Sequence, residues 1–397
     1  MPDSMNTTAQ GPATKLKRNV SRSSSLLHVW FCAWNVAGVK TQYENVRSAA
    51  QTLPDVALRY VEITPYKPGG VIERLPLLSG RSKGSLRSIA CAAPLFWQGP
   101  VDVFWTQADT ALFPVFSTRA RLLGIPWALS TDATTAQVES FPEYGMGAPD
   151  GHVSLKHRVR NRMAAYCYQH ASLLLPWSQW AADAILREYA VPVERVHVVP
   201  PGVDLQLWPQ RTQRAEEEGL RRLLFVGGDF ERKGGPLLLD VFRTRFRGRC
   251  ELHLVTKDAV EAEDGIFVYS DLGPNDPRLR HLYQTCDALV LPTRADCFSL
   301  ASIEAMAAGL PVITCAVGGI PEIVEDGGSG WLLPVHDGHA LAEAIDALLV
   351  DPARAEAFGL RGRAIAEERF DARKNAEKVF DLLRTTVSAR RRSETER

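Results

Sequence analysis

Two series of short apolar runs, each run followed by a longer helix-like pattern, leave this chain little freedom in its fold. The first series is LLHVWFCAW, VALRYVEI, DVFWTQ, PWALST, ASLLLPW and RVHVVP; the second is RRLLFVGG, ELHLVT, GIFVYSD, DALVLPT, LPVITCA and GWLLP. Strand–helix alternation predicts parallel sheets, because a parallel connection needs a crossover, and sheets buried on both faces read as continuous apolar runs. Between the series stands PPGVDLQLWPQRTQRAEEEG, proline-bearing and then charged, as an interdomain linker is. The 397 residues also exceed the roughly 250–300 at which single cores stop growing. We therefore expect an α/β protein of two doubly wound domains facing each other across a cleft. The expected boundaries are a disordered leader over 1–26, an N-terminal domain over 27–200, a linker over 201–220, a C-terminal domain over 221–375, and a C-terminal helix with a charged tail over 376–397.

Several function classes drop out on charge and patterning. Lysine plus arginine equals aspartate plus glutamate at 46 each, so no global field draws the chain to nucleic acid. No apolar run approaches the roughly 18 residues of a membrane span. The seven cysteines lie far apart without a C-x-x-C pair, which fits reduced thiols in a cytoplasmic protein and offers no zinc pattern. The opening MPDSMNTTAQGPATKLKRNVSRSSS lacks an apolar core and does not read as a secretory signal; the closing SARRRSETER reads as a solvated tail.

Open doubly wound sheets bind ligands at the carboxyl ends of their strands, where helix N-termini present free N–H groups to anions. Two stretches carry that chemistry. LLFVGGDFERKGGPLLLDVF runs from an apolar strand through two glycine pairs into a helix: Gly227 and Gly228 admit a close ligand, and Lys233 is placed to meet a diphosphate as a mobile charge, with Arg232 beside it. It contains neither G-x-x-x-x-G-K-[ST] nor G-x-G-x-x-G. In DCFSLASIEAMAAGLPVI, Asp296 precedes a predicted helix starting near Phe298 or Ser299, and Glu304 lies one to two turns inside it. The free N–H groups of the first turn, at Ser299, Leu300 and Ala301, stand between the two carboxylates. That spacing suits a clamp on a ligand whose phosphates sit on the helix and whose sugars extend both ways.

The stretch DCFSLASIEAMAAGLPVI, with VGGIPEIV, GSGWL, FVGGDFERKGG and VVPPGVDLQLW, resembles the E-x7-E signature region of family 4 retaining glycosyltransferases, well over residues 165–375 and loosely before them. The resemblance implies the glycosyltransferase-B fold of two Rossmann-like domains, a nucleotide-diphosphate sugar as co-substrate, and no metal or other cofactor. The absence of a convincing D-x-D motif agrees with metal independence. By position, Glu304 would bind the donor ribose and Asp296, where the family has glutamate, the donor sugar hydroxyls. Phe298, Ser299 and Leu300 with Lys233 would hold the diphosphate. Catalytic roles fall to Asp296, Lys233 and Asp132, the last standing where the family has a first-domain histidine. Gly228 occupies the place of the family's arginine five residues before the lysine, which passes leaving-group charge to Lys233 and Arg232.

The acceptor side is less legible, since NVAGVKTQYENV replaces the family's glycine-rich first loop. SLKHRVRNRMAAYCYQH reads as a basic helix, either a solvated face or a seat for an anionic acceptor or lipid headgroup. The sequence thus points to a cytoplasmic retaining glycosyltransferase with an unidentified hydroxyl acceptor and peripheral membrane contact as an open partner. A catalytically degenerate nucleotide-sugar-binding scaffold and a sugar-nucleotide epimerase remain alternatives.

Overall fold

The computed structural model describes residues 26–34, 37–63, 67, 69–76, 83, 86–87, 90, 99–107, 120, 122–145, 155–210, 220–273 and 275–396. The expected leader up to residue 25, the first two residues of NVAGVKTQYENV, Cys91, linker residues 211–219 and the side chain of Lys156 lie outside the described residues.

The first lobe contains β1 (Leu27–Trp34), α1 (Ala37–Gln51), β2 (Val56–Ile63), β3 (Val103–Gln107), β4 (Trp127–Thr131), α2 (Thr135–Glu139), α3 (Leu155–His170), β5 (Leu173–Pro176) and α4 (Gln179–Tyr189). Its strands form one sheet in the order β2-β1-β3-β4-β5, every pairing parallel. Alternate residues of β1 divide between two apolar clusters: Trp30 and Cys32 join one, Val29, Phe31 and Ala33 the other. Successive strand side chains point to opposite faces, so a strand apolar at every position must be covered on both.

The second lobe contains β6 (Arg221–Val226), α5 (Gly235–Val241), β7 (Cys250–Val255), β8 (Ile266–Tyr269), α6 (Pro277–Thr285), β9 (Ala288–Leu291), α7 (Leu300–Ala308), β10 (Val312–Cys315), β11 (Gly330–Leu333), α8 (Gly338–Val350) and α9 (Pro352–Arg369). Its sheet runs β11-β10-β9-β6-β7-β8, again all parallel. From β6 the chain builds outward through β7 and β8, then returns to lay β9, β10 and β11 on the other side. Direction therefore reverses between β6 and β9, and the loops leaving those neighbouring strands part around a crevice.

The chain passes between lobes at 199–203 and again at 370–372. The two crossings are joined by Val203 N–H to Phe370 O at 2.9 Å and Ala372 N–H to Val203 O at 3.0 Å. A Cβ on Gly202 would stand 2.4 Å from Phe370 O, so only glycine permits this approach. α10 (Ala372–Thr395) then returns over the first lobe, where Phe380 and Leu383 complete the Phe31 cluster and Arg384 pairs with Asp55 at 2.8 Å.

One expectation is corrected and another refined. RVHVVP is not a regular strand: it lies extended beside β5, with His197 N–H on Leu174 O and Val199 N–H on Pro176 O, and Pro200 and Pro201, lacking N–H groups, end the ladder. SARRRSETER is exposed, as a solvated tail is, but it is helical, continuing α10 to Thr395, and Arg391 pairs with Asp102 of the first lobe.

Candidate active site

The loops after β6 and β9 are stitched together at the switch point. Gly234, at φ 79° on the N-terminal side of α5, lies so close to Pro292 that a Cβ there would stand 1.9 Å from the Pro292 carbonyl oxygen. Arg294 N–H donates to Arg232 O at 2.9 Å, and Arg232 Nη1 donates to Ala295 O at 2.7 Å. Lys233 Nζ forms an ion pair with Asp296, both side chains largely buried. Of the glycine pair before this loop, Gly227 is packed near the Lys233 stem, whereas a Cβ on Gly228 would meet nothing within 4 Å.

Asp296 is held from behind by the VGGIP loop. A Cβ on Gly318, at φ 55°, would stand 2.1 Å from Asp296 O, and Gly319 N–H donates to Cys297 O at 2.9 Å. Ser299 then caps α7, its Oγ accepting from Ser302 N–H at 3.4 Å and from Ser302 Oγ at 2.9 Å. Helix geometry leaves Leu300 and Ala301 N–H without intrahelical acceptors, and the dipole favours an anion there. α7 ends where the sequence places its stop, at Gly309 in the left-handed region.

Glu304 is 7% exposed and accepts the Tyr283 hydroxyl at 3.0 Å. Burial raises its pKa from the ordinary 4.5 to about 7, against the lowering by that hydrogen bond. Trp208 packs edge-on against Tyr283, their centroids 5.0 Å apart, closing the space behind the carboxyl. Phe298 is buried between Trp177 of the first lobe and Phe370 at the crossing, so its side chain is part of the hinge packing and only its backbone borders the helix start.

The first lobe reaches this seat from the end of β4. Asp132 follows β4 directly, and its charge, after burial, helps raise the Cys297 thiol pKa. Beyond α2, residues Pro142–Tyr144 form a short helical turn that crosses the cleft. Glu143 pairs with Arg294 at 3.5 Å, and Tyr144 lies under the Arg232 guanidinium, 4.9 Å from ring centroid to Cζ. The Tyr144 hydroxyl accepts from Arg232 Nη1 at 3.4 Å and lies 3.7 Å from Cys297 Sγ. Burial chiefly, with the nearby charges of Cys297 and Asp296, pushes the phenol pKa well up, so it stays a neutral hydroxyl.

Lys233 and Arg232 thus meet the Ala295–Asp296 segment just before the start of α7 at Ser299 and Leu300, while Glu304 lies further along that helix against Tyr283 and Asp132 lies near Cys297. Sequence reading missed Tyr144, Glu143, Tyr283 and Glu322, the last bridging to α4. The available signals were FPEYG, whose proline and glycine bracket a turn at the carboxyl end of a strand, and the carboxylate of GGIPE.

Comparisons with known proteins give the same architecture. Residues 48–202 match the family described as "Glycosyl transferase 4-like domain", and residues 221–351 match "Glycosyl transferases group 1". D-inositol 3-phosphate glycosyltransferase of Thermobifida fusca is 30% identical over 342 residues, 78% of this chain and 74% of that protein. MMP alpha-(1→4)-mannosyltransferase of Mycolicibacterium hassiacum is 34% identical over 208 residues, 50% of each chain. The match thus spans about half the length of that relative, and 49% of a D-inositol 3-phosphate glycosyltransferase 1 from Catenulispora acidiphila. Sucrose-phosphate synthase from Thermosynechococcus elongatus superposes with a TM-score of 0.72 at 19% identity, covering 91% of this chain and all of that one. Anabaena HepE, solved with UDP-glucose, gives 0.66 at 16% identity over 90% of this chain and 100% of that one. These likenesses show the two-lobed fold.

Proposed function

This chain belongs to the family of group 1 and 4-like glycosyl transferases, and on that premise we propose that it moves a sugar, with retention, from a nucleotide-diphosphate sugar to an acceptor hydroxyl. The observation that carries the reading is that Lys233 and Arg232 contact the Ala295–Asp296 segment immediately before the N-terminus of α7, with Asp296 ahead of that helix and Glu304 inside it. A diphosphate is the anion for which two cations and a helix N-terminus are suited. Carboxylates on both sides suit hydroxyl-bearing groups at both its ends. That Anabaena HepE was solved with UDP-glucose on the same fold supports the donor class.

In this reading Glu304, as carboxylate, accepts from the ribose hydroxyls, and Asp296 with Asp132 accepts from the donor sugar hydroxyls. The acceptor oxygen attacks the anomeric carbon on the face the diphosphate leaves: the carbon–acceptor bond forms, the carbon–phosphate-oxygen bond breaks, and the departing phosphate oxygen takes the acceptor proton. Lys233, Arg232 and the backbone at Ser299 and Leu300 stabilise charge that grows on the leaving group, which is where preorganised donors contribute most. These groups supply that charge without a metal or other cofactor. The buried cysteines fit a cytoplasmic setting. Among the described residues no helix is long and apolar enough to cross a membrane. Peripheral contact is suggested by α3, where Leu155 and Val159 are exposed beside exposed Arg158 and Arg162.

A thermal-shift screen of nucleotide sugars, followed by mass spectrometry of products with candidate acceptors, tests the proposal. Lys233→Ala and Glu304→Ala should each lower transfer by about 10²-fold or more. Undiminished turnover in both would sink it; binding without turnover would favour the scaffold alternative, and conversion of a donor with no acceptor added would favour the epimerase.

A further inference from the structure

Arg232 is held on two sides at once. On the outer side Asp229, exposed and three residues earlier, accepts from Arg232 Nε at 3.0 Å. Ala295 O and the Tyr144 hydroxyl accept from Nη1 on the inner side, and the Tyr144 ring lies against the guanidinium plane. Ala295 adjoins Asp296, so the inward orientation brings the charge to the seat.

Tyr144 is itself firmly placed. Thr134 caps α2 through a reciprocal box with Gln137, whose Nε2 donates to Trp180 O at 2.9 Å. Phe141 packs on Trp180, Pro142 sets the first φ of the following turn, and Gly145, at φ 58°, ends it. Glu143 on the same turn pairs with Arg294. The phenol is therefore delivered to the second lobe by a braced segment of the first.

The charge balance gives this placement its weight. Asp296 neutralises one of the two adjacent cations by pairing with Lys233, and Gly228 carries no side chain to add a third. Arg232 shares its charge with the half-exposed Asp229, a pair that water screens more than the buried Lys233–Asp296 pair, so its guanidinium and the helix terminus are the less compensated positive charge at the seat.

We propose that Tyr144 is a positioning residue that works with Ala295 O to hold Arg232 inward, so that the second cation of the leaving-group seat is fully fixed only when the first lobe is closed onto the second. This rests on the glycosyl-transfer reading. It makes lobe closure and charge placement one event, since the same contact serves both.

The test is a double-mutant cycle of Tyr144→Ala and Arg232→Ala, read on the affinity for UDP, GDP and ADP and on transfer kinetics. Tyr144→Ala should weaken nucleoside diphosphate binding by about 5- to 30-fold, the range of a partly desolvated cation–π contact, and should lower kcat more than it changes KM. Tyr144→Phe, which keeps the ring and the packed area, should lose only about 2- to 3-fold. In the Arg232→Ala background, Tyr144→Ala should add no further loss. Additive losses in a wild type that binds diphosphate overturn the role of Tyr144 and leave the donor reading standing; a wild type that binds none of the three overturns the donor reading and this proposal with it. Should Tyr144→Ala not fold, the same cycle with Tyr144→Leu, which removes the aromatic face but keeps much of the apolar bulk, decides the case by the same criterion.

Discussion

Glu322 of the second lobe accepts the backbone N–H of Trp180 in the first at 2.7 Å, its other carboxylate oxygen taking Gln179 N–H at the same distance. With Ser178 Oγ accepting from Ala181 N–H, the first three donors of α4 are all satisfied, two of them across the lobe boundary. A carboxylate at a helix N-terminus also meets the positive end of the dipole. Glu322→Ala should therefore destabilise by about 1–2 kcal/mol, the range of a lost cap. Because this cap spans two lobes, its loss should also raise the radius of gyration in small-angle scattering. Glu322→Gln, which keeps one acceptor oxygen, should recover part of both effects. Unchanged scattering and melting in Glu322→Ala would show that the contact does not hold the cleft.

Glu304 gives a pH dependence with two opposite signs. Its pKa is about 7 when folded against the ordinary 4.5. Between about 4.5 and about 7 the unfolded chain gives up the proton while the folded one keeps it, so stability falls as pH rises through that window. Glu304→Gln removes the effect and should be the more stable protein above pH 7, by at most on the order of 3 kcal/mol. Donor binding runs the other way: if Glu304 accepts from ribose as a carboxylate, wild-type affinity strengthens as pH rises through about 7, and the glutamine variant is weaker and flat. Melting temperatures and calorimetric affinities from pH 5 to 9 check both signs.

Asp296 and the diphosphate compete for Lys233. Lys233 is paired with Asp296, and a bound diphosphate has to share or replace that partner. Asp296→Asn frees the lysine, so affinity for UDP or GDP, which carry no sugar, should rise by about 3- to 10-fold. Transfer should fall by about 10²-fold, because the hydroxyl acceptor that positions the sugar is weakened. Calorimetry on the nucleoside diphosphates and turnover with the full donor separate the two roles; parallel losses in both would show that Asp296 does not restrain Lys233.

Strands such as β5 and β9 were legible because each is apolar and buried through its whole length, as a doubly covered sheet requires, while β2, at a sheet edge, carries Arg59 and Glu62; the stop of α7 was legible from Gly309 and Pro311. RVHVVP misled because its alternation is that of a strand while the two prolines after it remove the donors a ladder needs. The grouping of Lys233 with Asp296 followed from two loops whose strands, β6 and β9, proved to be neighbours, an adjacency no local pattern states. Tyr144 and Arg232 stand 88 residues apart in the chain, and Gln179 and Glu322 stand 143 apart. Contacts of that separation arise from how two lobes meet, so the sequence offered the turn and the carboxylate but not their partners.

Gly228 invites a gain of function. It stands five residues before Lys233, at the carboxyl end of β6, exposed, with open space where a Cβ would go and a φ outside the left-handed region. A side chain there meets no steric barrier, so Gly228→Arg should change stability by no more than about 0.5 kcal/mol. If leaving-group charge limits turnover in the wild type, the added guanidinium should raise kcat by about tenfold, a modest share of what a well-placed donor contributes. Gly228→Glu, of similar length and opposite sign, should lower kcat and weaken diphosphate binding, while Gly228→Ala should change neither. The effect of the arginine should be larger in an Arg232→Ala background, where it replaces the missing cation. Equal turnover in the arginine, alanine and glutamate variants would show that this edge of the seat lies too far from the growing charge to matter.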